Sequence, residues 1–324
     1  MAVSKQVREP LEKTGTPAQA KKPAAWRTRL SRLQERYTPY WLVLPAILVM
    51  AAILLYPLVY SFYISFFDYR LARARMPFIG LDNYINAMTN DAFLLSLVQN
   101  LVFTVVCVVV EFITGMALAL LLNRNFIGRG VVRALFLLPM LTAPVLAGFN
   151  WRWIFNDRFG LLNQLLLAVG LPPQGWLVDA NLARLSIVVA TVWQGIPFVM
   201  LLLLAGLQAL PQAPFEAAIV DGASAWQRFR YLTLPLMRPV IVVVLALRII
   251  DLFRVFDVIY IMTFGGPGHA TELIPFYVYR SAFSESRVGY ASALSWITLL
   301  ITLLFLVPLF MGERSGAENE RMQR

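Results

Sequence analysis

Long apolar runs separated by short charged segments set the pattern of this chain. Residues 41–67 carry no charge, 96–122 carry only Glu111, and 185–207 and 291–311 carry none. Residues 131–155 hold Arg133 near the start and Arg152 near the end. Each run matches the roughly 20 apolar residues that a helix needs to cross a bilayer. A further run, 240–264, is continuously apolar only to Leu247 and then carries Arg248, Asp251, Arg254 and Asp257. Four unpaired charges in lipid would cost roughly 2.5–3.5 kcal/mol each. A spanning helix here must therefore face a protein interior or a wet cavity. With this run included, the expectation is an all-α polytopic membrane protein of six transmembrane helices.

Charge sets the orientation. The net charge is +10, and nine of the 28 Lys and Arg residues precede Trp41. With the N-terminus inside, 18 of the 28 fall in cytoplasmic segments and seven in outer ones. That is the sense of the positive-inside rule, and the basic tail decides it. Both termini are then cytoplasmic. Residues 1–36 read mostly as a disordered basic tail rather than a signal peptide. Residues 26–37 have an alternative as an interfacial helix with Trp26, Leu30 and Leu33 on one side. Residues 37–312 form the membrane domain and 313–324 a cytoplasmic tail.

Composition narrows the chemistry. Hydrophobic residues make up 59% and charged residues 14%, which excludes an ordinary soluble enzyme. One cysteine, Cys107, and one histidine, His269, leave no set of Cys and His ligands for a metal. Basic charge beside apolar spans points to a membrane surface, not to nucleic acid. No GxxxxGK[ST] phosphate loop and no repeat of 20–50 residues occurs.

The loop at 208–239 has a different character. Pro211 to Pro239 reads PQAPFEAAIVDGASAWQRFRYLTLPLMRP. Pro214 suits the first turn of a helix, and Glu216 suits its positive dipole end. Asp221-Gly222 supplies a turn, with Asp221 or Ser224 available as a cap. Residues 225–232 form a second helix, which Pro235 is expected to stop. The expectation is a helical hairpin at the membrane face, with Ala217, Ala218, Gly222 and Ala223 permitting close approach.

Glu216-Ala217-Ala218, three residues, Gly222, nine residues, Leu232, one residue, then Leu234-Pro235 resembles the signature loop of the inner-membrane permease subunits of binding-protein-dependent ABC importers. Leu232 stands where isoleucine is commoner. Phe78-Ile79-Gly80-Leu81-x-Asn83-Tyr84, Phe253-Arg254-x-Phe256-Asp257, Gly265-Gly266-Pro267-Gly268, Tyr277-x-Tyr279-Arg280 and Gly289-Tyr290-Ala291-Ser292-Ala293 extend the resemblance to the sugar-permease subgroup, of the maltose and glycerol-phosphate permease type. It covers roughly residues 40–312.

This resemblance implies the type I importer permease fold in a bacterial inner membrane. It also implies the partners: a second, homologous permease, two ABC ATPase subunits and an extracytoplasmic solute-binding protein. The solute would be a sugar, polyol or glycerol derivative. The chain would have no catalytic residues, metal or cofactor of its own, and ATP would be bound and hydrolysed on the partner. By the same carry-over, the hairpin is a coupling helix docked in an ATPase groove. Glu216 pairs with a basic residue there, Ala217 and Ala218 let the helix seat, Gly222 makes the bend, and Asp221, Leu234 and Pro235 complete the ATPase-coupling set.

Several residues fit a solute pathway, each beside a plainer reading. Arg248, Asp251, Arg254 and Asp257, three apart and alternating in sign, make either a polar wall or an ion-pair ladder. Trp193-Gln194-Gly195-x-Pro197 suggests a locally unwound helix beside a binding site, or a simple kink. Asn150, Trp151, Arg152 and Trp153 fit an interfacial aromatic belt or contact with a docked binding protein. Glu111 must be protonated or paired, and an arginine of the 240–264 run is the natural partner. Asn150, Trp193, Gln194, Asp251, Arg254 and Asp257 are the pathway candidates. The competing classes are an ion-coupled secondary transporter using Glu111, which leaves the Glu216 loop unexplained, and a membrane-embedded transferase, which lacks clustered carboxylates or histidines.

Overall fold

A computed structural model describes residues 25–73 and 75–322, with side chains described from Tyr40 to Pro308 apart from Trp41 and Ala74. Residues 1–24, most of the expected tail, lie outside the described residues. So do the side chains of Trp26, Leu30 and Leu33, although the backbone at 26–37 is helical. Among the described residues the chain is helical, with one bridge, Phe67 to Phe78, and no strand.

The first helix, α1 (Ala25–Ile64), contains the apolar stretch Leu42–Ile64. Its exit is pinned by the following segment, α2 (Asp82–Thr89). Buried Asn83 donates from Nδ2 to the carbonyls of Ser65 (2.8 Å) and Phe67 (3.0 Å), and Ser65 Oγ lies 2.7 Å from Tyr84 Oη. The Asn83-Tyr84 motif thus meets backbone groups freed where the helix ends.

Three apolar helices follow the sequence expectation. They are α3 (Asp91–Leu122), α7 (Ala180–Gln208) and the Val288–Pro308 part of α13 (Val288–Met322). With α1 they make four helices, among the described residues, long and apolar enough to cross a membrane, or five if the bent pair below counts as one span. Asn90 caps α3 by accepting from Phe93 N, and Asp179 caps α7 by accepting from Asn181 N and Leu182 N.

The other two expected spans are not single helices. Residues 131–155 fold as α4 (Arg129–Leu141) and α5 (Pro144–Ile154), bent by 96°. Pro144 causes the break: it disfavours helical geometry at Ala143, which sits at φ −58°, ψ 136°. Residues 240–264 divide into α10 (Leu234–Leu252) and α11 (Asp257–Met262). Six uninterrupted spans are therefore not what the chain forms. The charges that made this run doubtful lie at the division, with Arg254 inside it and Asp257 at the first turn of α11, where the helix dipole favours a carboxylate.

Two further expectations are corrected. α7 is continuous through Gly195 and Pro197, so the Trp193–Pro197 segment is not unwound. Pro197 removes one hydrogen bond, and the buried helix is held by its extensive packing on α3. Pro235 does not stop a helix. The hairpin's second helix, α9 (Ala225–Arg228), runs through a π turn at Phe229–Thr233 into α10, whose first turn contains Pro235. Leu234 N bonds back to Phe229 O in that turn, and a first-turn proline needs no donor of its own.

Two apolar layers hold the helices. One joins Phe103 and Cys107 of α3, Ile187 and Ala190 of α7, Leu252 of α10, and Val258 and Ile259 of α11. The other joins Met116 and Ala119 of α3, Val199, Met200 and Leu203 of α7, and Met237 and Val244 of α10. A third cluster packs Phe93 of α3 and Ile274 and Tyr277 of α12 (Ile274–Tyr279) against Tyr290 and Leu294 of α13.

Candidate functional site

Between those two layers lies a charged one. Glu111 sits between Cys107 and Met116 on α3, Gly195 between Ala190 and Val199 on α7, and Arg248 between Val244 and Leu252 on α10. Arg248 Nε donates to Glu111 Oε2 at 2.7 Å and Nη2 to Oε1 at 2.8 Å. This is a bidentate, charge-assisted pair. The Glu111 side chain is fully buried and Arg248 is 11% exposed. The third guanidinium nitrogen, Nη1, reaches Asp251 Oδ2 at 3.3 Å, and Asp251 is 52% exposed.

Gly195 makes this layer possible. A Cβ on it would stand 2.6 Å from Arg248 Nη2 and from Glu111 Cδ, and would collide with Glu111 Oε1. The glycine is present for close approach and not for flexibility, which is why α7 stays helical there.

Beside the pair opens a cavity of about 220 Å³, lined by Thr191 and Gln194 of α7, Pro144 of α5, and Arg248, Asp251, Arg254 and Asp257. Three of the pathway candidates from the charged run, together with Gln194, thus meet in one place. The alternating charges make no continuous ladder. Arg248 bridges Glu111 and Asp251, whereas Arg254 and Asp257 form no ion pair among the described residues. Gln194 Nε2 donates to Thr142 O at 2.8 Å, a carbonyl freed by the bend between α4 and α5.

Asn150 and Trp193 fall elsewhere. With Trp151, Trp153 and Ile154 they line a neighbouring space of about 570 Å³. Half-buried Trp151 packs edge-on to Trp193 at 5.7 Å and stacks on Phe155 at 5.2 Å. Trp153, 64% exposed, is free for the belt role.

Several residues escaped the sequence reading. Thr191, 6% exposed, also lines the cavity, and its buried Oγ1 has no hydrogen-bond partner among the described residues. It stands three and four residues before Gln194 and Gly195, a helical spacing that could have marked it. Asn163, 1% exposed and on the short helix α6 (Leu161–Ala168), staples the connection before α7 through Asp157 O, Gln174 O, Gln174 N and Trp176 Nε1. Buried Glu272 contacts His269 and Arg280, so His269 is tethered as well as solvated.

The hairpin forms as its residues dictate. α8 (Ala213–Val220) has Pro214 and Glu216 in its first turn. Gly222 turns the chain at φ +75°, Ala223 N bonds to Ala218 O at 2.9 Å, and Ser224 and Gln227 form a capping box at the head of α9. The hairpin exposes large apolar side chains beside its charged ones: Ile219 is 57% exposed, Val220 87% and Trp226 65%. Glu216, Ala217, Asp221 and Gly222 are exposed and Ala218 half-buried; Leu234 is half-buried and Pro235 exposed where α10 begins. A cleft of about 480 Å³ beside Glu216, lined also by Asn123, Arg129, Gln212 and Phe215, separates α8 from the end of α3.

Residues 111–312 match the family described as binding-protein-dependent transport system inner membrane component. The chain belongs to that family.

The permease is 38% identical to the trehalose/maltose transport system permease protein MalF of Thermococcus litoralis over 276 residues, which covers 85% of this chain and 93% of the relative. It is 36% identical over 293 residues to the trehalose transport system permease protein SugA of Mycobacterium tuberculosis, covering 89% and 93%. A bacterial ABC transporter that imports the acidic polysaccharide alginate contains a chain of the same fold, with a TM-score of 0.78 at 23% identity, over 89% of this chain and 99% of that one. The permease is therefore a transport component, not an enzyme, and it has the type I importer fold. No group of three His, Cys, Asp or Glu among the described residues could hold a metal.

Proposed function

We propose that this permease forms half of the pathway through which an ATP-driven importer moves a neutral sugar, delivered by an extracytoplasmic binding protein. The observation that carries this reading is continuity. The exposed hairpin α8–α9 runs without interruption through the π turn into α10, and α10 carries Arg248 and Asp251 to the cavity. From Leu234 to Arg248 that lever is about 21 Å at 1.5 Å per residue. A pull on the hairpin reaches the cavity along one rigid element. The exposed Ile219, Val220 and Trp226 suit a docked partner, and sugar hydroxyls suit Gln194, Asp251 and Asp257. The names of the trehalose and maltose relatives favour a disaccharide over a polyol.

On this reading the chain crosses the inner membrane six times, with the bent pair α4–α5 and the divided pair α10–α11 each serving as one crossing. Both termini and the hairpin are cytoplasmic. The partners are a second, homologous permease, two ABC ATPase subunits that hold all the ATP, and a solute-binding protein. Glu216, Ala217, Ala218, Asp221 and Gly222 contact the ATPase. Asn150, Trp193, Gln194, Asp251, Arg254 and Asp257 border the path. The ion-coupled alternative loses its motivating residue, because Glu111 is engaged by Arg248.

The test is uptake of labelled trehalose and maltose in cells lacking the permease, with the neighbouring transport genes intact. Restored uptake of either sugar by the wild-type chain, lost when the ATPase is inactivated, supports the reading. ATPase-independent uptake rejects it, and uptake of neither sugar rejects these two disaccharides as its solutes.

A further inference from the structure

The buried Glu111–Arg248 pair is larger than packing alone requires. A charge pair this deep is often no more stabilising than apolar residues of the same volume. Here it also demands a glycine on a third helix, since any side chain at position 195 would displace both partners. Arg248 does not spend all its donors on Glu111. Nε and Nη2 are fixed by that carboxylate, and the planar guanidinium then has its remaining edge, Nη1, aimed at Asp251 in the cavity wall.

We propose that Glu111, Gly195 and Arg248 form a positioning relay, in which the fully buried carboxylate orients the guanidinium so that Arg248 holds the Asp251 carboxylate in the cavity. The relay also keys α10 to α3 and α7 at one register, because it sits between the two apolar layers those helices share. None of the three residues need touch solute. Asp251 does, and in that respect the inference rests on the pathway reading above. Glu111 accepts both bonds of a rigid fork, so glutamine cannot replace it: its amide nitrogen would face a donor. Lysine cannot replace Arg248, because an ammonium lacks the planar fork that pairs two nitrogens with Glu111 while a third faces Asp251.

The experiment uses the assembled importer in proteoliposomes with saturating binding protein and trehalose or maltose. It measures maximal uptake, ATP hydrolysed per sugar and the yield of intact complex for E111M, R248M, the double variant E111M/R248M, D251N and the triple variant. The single variants strand a buried charge or donor and are expected to assemble poorly. The double variant removes both charges and is expected to assemble like the wild type. Its maximal uptake should still fall about tenfold, the equivalent of one charge-assisted hydrogen bond, with more ATP hydrolysed per sugar. D251N should fall similarly, and the triple variant should be no worse than D251N, because the relay acts through that carboxylate. A double variant with full, tightly coupled uptake would overturn the relay while leaving the pathway reading intact. So would a double variant that fails to assemble, since the pair would then be structural. A silent D251N would remove Asp251 from the pathway and overturn both.

Discussion

Gly195→Ala gives the sharpest test of the charged layer. The added methyl carbon would stand 2.6 Å from Arg248 Nη2 and Glu111 Cδ. Ordinary contact needs roughly 3.4 Å or more, so the pair must retreat by nearly 1 Å. Because the methyl meets both partners, the planar pairing at 2.7 and 2.8 Å is disrupted as they move aside. Overpacking alone costs about 1–3 kcal/mol, and a weakened charged bond about 1.5–3 kcal/mol. A loss of about 3 kcal/mol is expected, which lowers the melting temperature by roughly 6 °C at 2 °C per kcal/mol. The assay is thermal unfolding of the detergent-purified complex followed by tryptophan fluorescence. Gly222→Ala is the control. A Cβ there meets nothing within 4 Å, but φ is +75°, so the strain of about 1–2 kcal/mol is confined to the hairpin. It should leave core melting unchanged while reducing uptake. If Gly195→Ala melts within 1 °C of the wild type by this assay and transports fully, the close-approach argument is wrong.

Other outcomes follow from the same geometry. Glu216→Lys should abolish uptake without lowering the membrane level of the permease, read by quantitative blotting, because Glu216 is exposed in the first turn of α8. Gly222→Pro should do the same: proline cannot adopt φ +75°, and it loses the Gly222 N–H bond to Ile219 O. Gln194→Ala strips Thr142 O of its donor and should cost about 1–2 kcal/mol in melting as well as slowing uptake, whereas Asp257→Ala should slow uptake alone. Asn163→Leu removes four bonds from a buried staple and should destabilise by about 2–3 kcal/mol, with uptake per folded complex preserved.

Local chemistry made much of this permease readable. Uninterrupted apolar runs fixed α1, α3, α7 and α13, because a bilayer demands that length and composition whatever the tertiary contacts. Pro214, Glu216, Gly222 and Ser224 determined the hairpin, because caps and turns depend on a few neighbouring residues. The spacing around Glu216 and Gly222 was enough to identify the family. The partner of Glu111 was narrowed to an arginine of the charged run because a buried carboxylate must be paired or protonated.

Tertiary structure decided the rest. Whether Pro144, Pro197 or Pro235 would break a helix depended on what replaced the missing hydrogen bond. The Pro144 break is met by Gln194 from another helix, Pro197 is held by packing on α3, and Pro235 is absorbed by a π turn. Gly195 read as a flexible point, yet it is a clearance for an ion pair between residues 137 positions apart. Sequence periodicity registers which face a residue occupies on its own helix. It carries no record of which atom of a distant helix arrives opposite, and that arrival places Asp251, Arg254 and Asp257 around one cavity while Asn150 and Trp193 line another.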